Sequence, residues 1–124
     1  MAKILIIDDE DALRDSIREI LESKGHEVSD APDGATGTNM FKDNGADIVI
    51  TDLIMPYQDG IETIRNLRRH SETLKIIALS GRGGHHVKAN LERAEFFGAD
   101  ATIQKPCEPS TLVSVIDSLI TTKS

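Results

Sequence analysis

The chain has 124 residues, 39% of them hydrophobic and 28% charged, which suits one globular domain with a single core. Its 21 acidic against 14 basic residues give a net charge of −7, a balance that argues against a nucleic-acid surface. Cys107 is the single cysteine, so no internal disulfide can form and a reducing cytoplasm fits. The first apolar run is too short for a signal peptide or a membrane span.

Strand and amphipathic helix alternate along the chain. Residues 3–8 form a continuous apolar run ending in acids, as expected of a central parallel strand covered on both faces. Leu13, Ile17, Ile20 and Leu21 then recur at helical spacing, and Gly25 is placed to stop that helix. Residues 26–31 predict a second strand, and Asp33-Gly34 opens a second helix carrying Met40 and Phe41, although Thr36, Gly37 and Thr38 are poor helix formers. Residues 47–51 predict a third strand, and Gly60 opens a helix with Ile61, Ile64 and Leu67 on one face. Residues 75–79 predict the fourth strand.

The glycine-rich stretch Gly81-Arg82-Gly83-Gly84 predicts a mobile loop, because three glycines restrict the backbone little. A helix with Val87, Leu91 and Ala94 follows and ends near Gly98. Residues 100–104 predict the fifth strand, and Pro109 starts a last helix carrying Leu112, Val113, Ile116, Leu119 and Ile120. Five strand–helix units imply an α/β fold: a five-stranded parallel sheet with helices on both faces, whose winding reverses at a ligand crevice.

Asp8-Asp9, Asp52, Ser80 and Lys105 each fall where one of these apolar runs stops, so a parallel sheet gathers them on one edge. Three carboxylates so placed repel and raise one another's pKa unless a cation joins them. Mg²⁺ suits the set, since it takes oxygen ligands, keeps several waters and binds through one or two carboxylates plus a phosphate. Lys105, its exit fixed by Pro106, can pair with Asp52 and with phosphoryl oxygens. Each residue also has a plainer reading. The acidic pair can cap the following helix, Ser80 can be a turn residue, and Lys105 a solvated charge. Cys107 reads as a small buried apolar residue. His85-His86 read as a solvated loop, and Arg65, Arg68 and Arg69 as a solvated helix face. The loop at residues 81–84 lacks the Gly-Lys-Ser/Thr ending of a P-loop.

The acidic pair Asp8-Asp9, the segment Asp52-Leu53-Ile54-Met55-Pro56 with Asp59-Gly60, Ser80-Gly81 and Lys105-Pro106 together resemble the receiver domain of two-component response regulators, from Lys3 to about Thr121. The resemblance implies a doubly wound, flavodoxin-like sheet of order 2-1-3-4-5 and one receiver domain over residues 1–124. It implies that Asp52 is the phospho-acceptor, and that Asp9 and Asp52 coordinate Mg²⁺ with the backbone carbonyl of Ile54. Asp8 would hold a metal-bound water. Ser80 would be the hydroxyl that reorients to the phosphoryl group, with Lys105 its cationic partner and the Lys105-Pro106 bond cis. Ile54 and Arg82, two residues past acceptor and hydroxyl, would tune hydrolysis.

The implied partners are a histidine kinase or phosphotransfer protein and an output protein or fused output domain. No membrane and no direct nucleic-acid contact is implied, and the chain is expected in the cytoplasm as a monomer or a weak phosphorylation-dependent dimer. It would not be an enzyme on external substrates, but a switch that assists its own phosphorylation and dephosphorylation. Two positions depart from the family pattern: Thr102 stands where an aromatic residue is usual, and Cys107 where phenylalanine is common. Two rival readings are an aspartate-nucleophile phosphatase, whose Asp-x-Asp pattern is missing at Asp8-Asp9-Glu10, and a degenerate receiver that only binds. Whether the chain stands alone or belongs to a longer regulator is left open by its residues.

Overall fold

The computed structural model describes residues 2–53, 60–81 and 87–121. Its elements alternate as β1 (Lys3–Ile7), α1 (Asp11–Ser23), β2 (Glu27–Ala31), α2 (Gly34–Asn44), β3 (Ile48–Asp52), α3 (Gly60–His70), β4 (Lys75–Ser80), α4 (Val87–Phe97), β5 (Ala101–Gln104) and α5 (Pro109–Thr121). The strands form one parallel sheet in the order β2-β1-β3-β4-β5, as the sequence resemblance implied. Winding reverses between β1 and β3, so the crevice opens where Asp8 and Asp52 lie.

The strands are isoleucine-rich because both faces are covered. Leu5, Ile7, Val49, Ile76 and Ala78 point into one core, closed by Phe41 of α2, Ile61, Ile64 and Leu67 of α3 and Ala94 of α4. Ile4, Ile6, Ile48, Ile50, Ile77, Leu79 and Ile103 point into the other, closed by Ile17 and Leu21 of α1 and Leu112 and Ile116 of α5. Each such side chain fully removed from water contributes about 1.5–3 kcal/mol, enough to fix which residues face which layer.

Tertiary packing decides α2, whose sequence is a weak helix former. The Asp33 side chain caps it by accepting from Thr36 N at 2.7 Å, and the Thr38 hydroxyl donates back to Gly34 O at 2.8 Å. Gly37 lies flat against Ile7, where a β-carbon would collide with that side chain. The predicted boundaries shift by one residue in places. β3 and β4 run on to include Asp52 and Ser80, because both still pair in register, with Leu79 and Gln104.

Arg68 corrects the reading of the three α3 arginines as a solvated face. It is half-buried and donates to Gly98 O through Nε (3.0 Å) and Nη2 (2.6 Å), to Leu74 O, and to Asp100 Oδ2 at 2.7 Å. Asp100 Oδ2 also accepts from Ile76 N at 2.8 Å, so one guanidinium ties the ends of α3 and α4 to the start of β4. Gly98 must be glycine there: its φ is +124°, and a β-carbon would meet the Arg68 side chain. Arg65 and Arg69 are exposed, as expected. Arg68→Ala should lower the unfolding free energy in urea by about 2–4 kcal/mol, because several turn carbonyls lose a charged donor. Arg69→Ala should stay within about 0.5 kcal/mol of the parent.

Candidate phosphoryl and metal site

At the carboxyl edge of the sheet, Asp8 follows β1, Asp52 ends β3, Ser80 ends β4 and Lys105 follows β5. Parallel pairing is what converts four distant sequence positions into neighbours. Lys105 Nζ donates to Asp52 Oδ2 at 2.9 Å and to Asp8 Oδ2 at 3.2 Å. The lysine backbone is itself fixed, its N–H bonded to Ser80 O at 2.9 Å, and the Lys105-Pro106 bond is cis. One oxygen from each of Asp8, Asp9 and Asp52 lies within 4.8 Å of the others, with Asp8 and Asp52 buried and Asp9 exposed.

Burial sets the electrostatics. Asp8 is wholly excluded from solvent, and this desolvation pushes its pKa above the usual carboxylate value. The Glu10 N–H, 2.9 Å from Asp8 Oδ1, offsets part of that rise. The Asp52 charge adds to it, and Lys105 opposes it. The mutual repulsion anticipated from the sequence is therefore real at Asp8 but second to burial. Burial pushes the Lys105 ammonium down, but the hydrogen bond and charge of Asp52, with Asp8 behind them, outweigh it and hold its pKa above the ordinary lysine value.

Ser80 is buried, and among the described residues its hydroxyl has no hydrogen-bond partner. An unpartnered buried hydroxyl costs about 1–3 kcal/mol, so this donor is placed to be met by an incoming acceptor. Three hard oxygen donors, an ammonium and a waiting hydroxyl fit a divalent cation beside a phosphoryl group. Among the described residues no imidazole or thiolate joins this set, so its donors match a hard cation better than a soft or nitrogen-seeking one.

The plainer readings can now be weighed. Asp8 binds the Glu10 N–H just ahead of α1, but no side chain caps that helix at Glu10 itself. Ser80 is a strand end and not a turn residue, and Lys105 is mostly buried between two acids, not solvated. Cys107 packs against the α1–α5 core as a small apolar residue would, but is half-buried and not buried; burial pushes its thiol pKa up, with Lys105 pulling against it. Thr102 is half-buried on β5, paired in register with Ala78. Ile54, Met55, Pro56 and Asp59, together with Arg82, the remaining loop glycines and His85-His86, lie outside the described residues.

Of two supports of the site, Arg14 escaped the sequence reading and Gly60 was read only as a helix start and motif residue. Arg14 is nearly buried; its Nη1 donates to Asp8 O at 2.7 Å and its Nη2 to Asp11 Oδ1 at 2.7 Å. This holds the acidic turn onto α1. The signal was present, since Arg14 stands three and seven residues before Ile17 and Leu21, on the inward stripe of its helix. Gly60 donates its N–H to Leu53 O at 3.0 Å, and a β-carbon there would collide with the Asp52 carbonyl and Leu53 Cα. The start of α3 is thus seated directly on the Asp52 backbone.

The response regulator receiver domain profile matches residues 4–117. The chain is 30% identical over 122 residues to the chemotaxis protein CheY of Halobacterium salinarum, covering 98% of this chain and 99% of that protein. It is 33% identical over 119 residues to the response regulator MprA of Mycobacterium sp., covering 95% of this chain but 50% of MprA. The chain therefore spans nearly all of one relative and half the length of the other. Among solved structures, a receiver domain protein from Clostridium thermocellum superposes with a TM-score of 0.91 at 33% identity, covering 99% of this chain and 97% of that one. The matched family is one of phospho-accepting switches and not of classical enzymes, which leaves the phosphatase reading without support. The chain belongs to the receiver domain family of two-component response regulators.

Because Asp8 holds its proton more tightly in the folded chain than in the unfolded one, its ionisation destabilises the metal-free fold. Below the unfolded carboxylate pKa both states are protonated and nothing is lost; the loss grows as pH rises through the folded pKa and persists above it. Asp8→Asn should accordingly raise the melting temperature of the metal-free protein by a few degrees at pH 7. The gain should shrink toward zero in thermal scans taken at progressively more acid pH.

Proposed function

We propose that Asp52 accepts a phosphoryl group from the phosphohistidine of a histidine kinase or phosphotransfer protein, and that the acyl phosphate switches the domain. The observation that carries this reading is the Asp52 carboxylate held at 2.9 Å by Lys105 beside a buried, unpartnered Ser80 hydroxyl. A carboxylate oxygen of Asp52 attacks phosphorus as the phosphorus–nitrogen bond to the donor imidazole breaks. Lys105, charged through the physiological range, moves its donors from carboxylate to phosphoryl oxygens, so it stabilises charge where charge develops. Ser80 then gains the acceptor it lacks, drawing β4's end and the loop behind it inward. Asp9 and Asp52, with the Ile54 carbonyl, are the residues that would hold Mg²⁺, and Asp8 would orient one of its waters. When bound, Mg²⁺ supplies the positive charge that offsets the carboxylates and the phosphoryl oxygens together. Residues 1–124 act in this reading as one cytoplasmic receiver, monomeric or weakly dimerised on phosphorylation, serving an output protein or fused domain. Among the described residues no helix is long and apolar enough to cross a membrane.

Incubation with Mg²⁺ and a small-molecule phosphodonor should add one base-labile phosphoryl mass, and Asp52→Asn should add none. Full labelling of that variant would overturn the assignment. In titrations Asp9→Ala should weaken Mg²⁺ binding, roughly sub-millimolar to millimolar in the parent, more than Asp8→Ala, because only Asp9 is assigned direct coordination.

Decay of the acyl phosphate needs a water aligned opposite the leaving Asp52 oxygen. Isoleucine at position 54 offers that water no hydrogen bond, and Arg82 would cover and pair with the phosphoryl group. Self-dephosphorylation should therefore be slow, with resetting left to a phosphatase or to back-transfer. Ile54→Asn should speed decay several-fold, about 1 kcal/mol of barrier, as read from the loss of phosphorylated mass with time.

A further inference from the structure

The helix α3 starts against the Asp52 backbone at Gly60, and α4 is the helix that follows β4, the strand ending at Ser80. Between their outer faces runs a groove of about 210 Å³ lined by Arg65, Asn66, Arg69, Arg93, Ile61 and one acid, Glu62. Three arginines so placed are unexpected on a chain of net charge −7. Arg65 and Arg93 lie clear of the last helical turns, so neither answers the partial negative charge at a helix C-terminus.

None of the three arginines forms an ion pair among the described residues, whereas Arg14, Arg18, Arg68 and Lys105 all do. Arg65 is held in place from below, its guanidinium 5.3 Å from the ring centre of Phe97. Phe97 meets Phe96 edge to face at 5.1 Å, and Phe96 is 83% exposed, the one large apolar side chain so exposed among the described residues. Arginine and phenylalanine in a concave, pre-ordered patch are the composition of a binding hot spot, not of a solvated face.

We infer that the α3–α4 groove docks an acidic helical segment of a partner protein, its carboxylates on Arg65, Arg69 and Arg93 and one apolar side chain against Phe96. Charge complementarity selects the sign of the partner, since the exposed face of α1, with Asp11, Asp15, Glu19 and Glu22, would repel the same segment. The inference builds on the proposed switch, because one wall of the groove, α3, is seated on the Asp52 backbone and the other, α4, follows the strand that ends at Ser80. A small rotation of either helix changes the groove's width, so the site has a direct mechanical route to this surface. Thr102, which cannot serve as an aromatic relay on the β5 side, is bypassed.

The test uses a fluorescein-labelled helical peptide carrying glutamates one turn apart around a single leucine, with a lysine-for-glutamate peptide as its counterpart. Anisotropy with the unphosphorylated chain should give saturable binding of the acidic peptide only, weakening as salt is raised. Arg65→Glu/Arg93→Glu should weaken it at least about tenfold, and Phe96→Ser several-fold, while Lys24→Glu on the far side should leave it unchanged. Phe96→Ser and Arg93→Glu alter exposed side chains, so their circular dichroism spectra should match the parent. Equal binding of both peptides, or acidic-peptide binding untouched by the arginine reversals, would overturn the inference. So would a dimer in sedimentation that Arg65→Glu/Arg93→Glu disperses, which would assign the groove to the α1 acids of a second copy. Because the measurement needs no phosphorylation, its failure leaves labelling of Asp52 standing, and failed labelling leaves this binding standing.

Discussion

The ammonium of Lys105, shared between Asp52 and Asp8, is the interaction on which the rest of the architecture converges. It joins the ends of β1, β3 and β5, which are separated by most of the chain's length, and it does so where solvent is excluded. A buried carboxylate and a lone buried ammonium are each costly without an opposite charge beside them. Each group is tolerated because the others are present. The arrangement leaves one need unmet, the Ser80 hydroxyl, and one surplus, the excess negative charge of three aspartates over one lysine. In the proposed function a metal cation would answer the surplus and a phosphoryl oxygen the hydroxyl.

Around this centre, arginines buried along helical stripes act as fasteners. Arg14 pins the turn bearing Asp8 to α1, and Arg68 pins the ends of α3 and α4 to the start of β4. Arg68 donates mainly to backbone carbonyls at turns, and Arg14 divides its donors between the Asp8 carbonyl and the Asp11 carboxylate. Glycine has the complementary role at Gly60, letting a helix approach the Asp52 backbone more closely than any side chain allows. What surrounds the site is tightly packed, so in the proposed switch a displacement there would be passed to whole helices.

Much of this was legible in the residues themselves. Continuous isoleucine-rich runs marked strands covered on both sides, and helical spacing marked the layers that cover them. The acids, hydroxyl and lysine at the run ends marked the edge where chemistry belongs. Arg14 and Arg68 were legible in principle, each standing on the apolar stripe of its helix at positions where a solvated charge would be out of place. The α2 segment was less so, because Gly37 and its flanking threonines lower helix propensity locally. What stabilises α2 is the Asp33 cap and the seat against Ile7, and that contact belongs to no stretch of sequence.

The sequence alone determined the alternation of elements, the parallel sheet and the set of side chains delivered to its carboxyl edge. Those follow from hydrophobic period and from the way parallel strands align their ends. Only the tertiary structure decided that Asp52 and Ser80 are the buried last residues of their strands, that burial outweighs repulsion at Asp8, and that Cys107 stays half-exposed. The same is true of which arginine on α3 is tied to backbone carbonyls and an acid and which stay exposed. These are matters of desolvation and partner distance, quantities set by what the rest of the chain places nearby, and a residue's neighbours in sequence do not contain them.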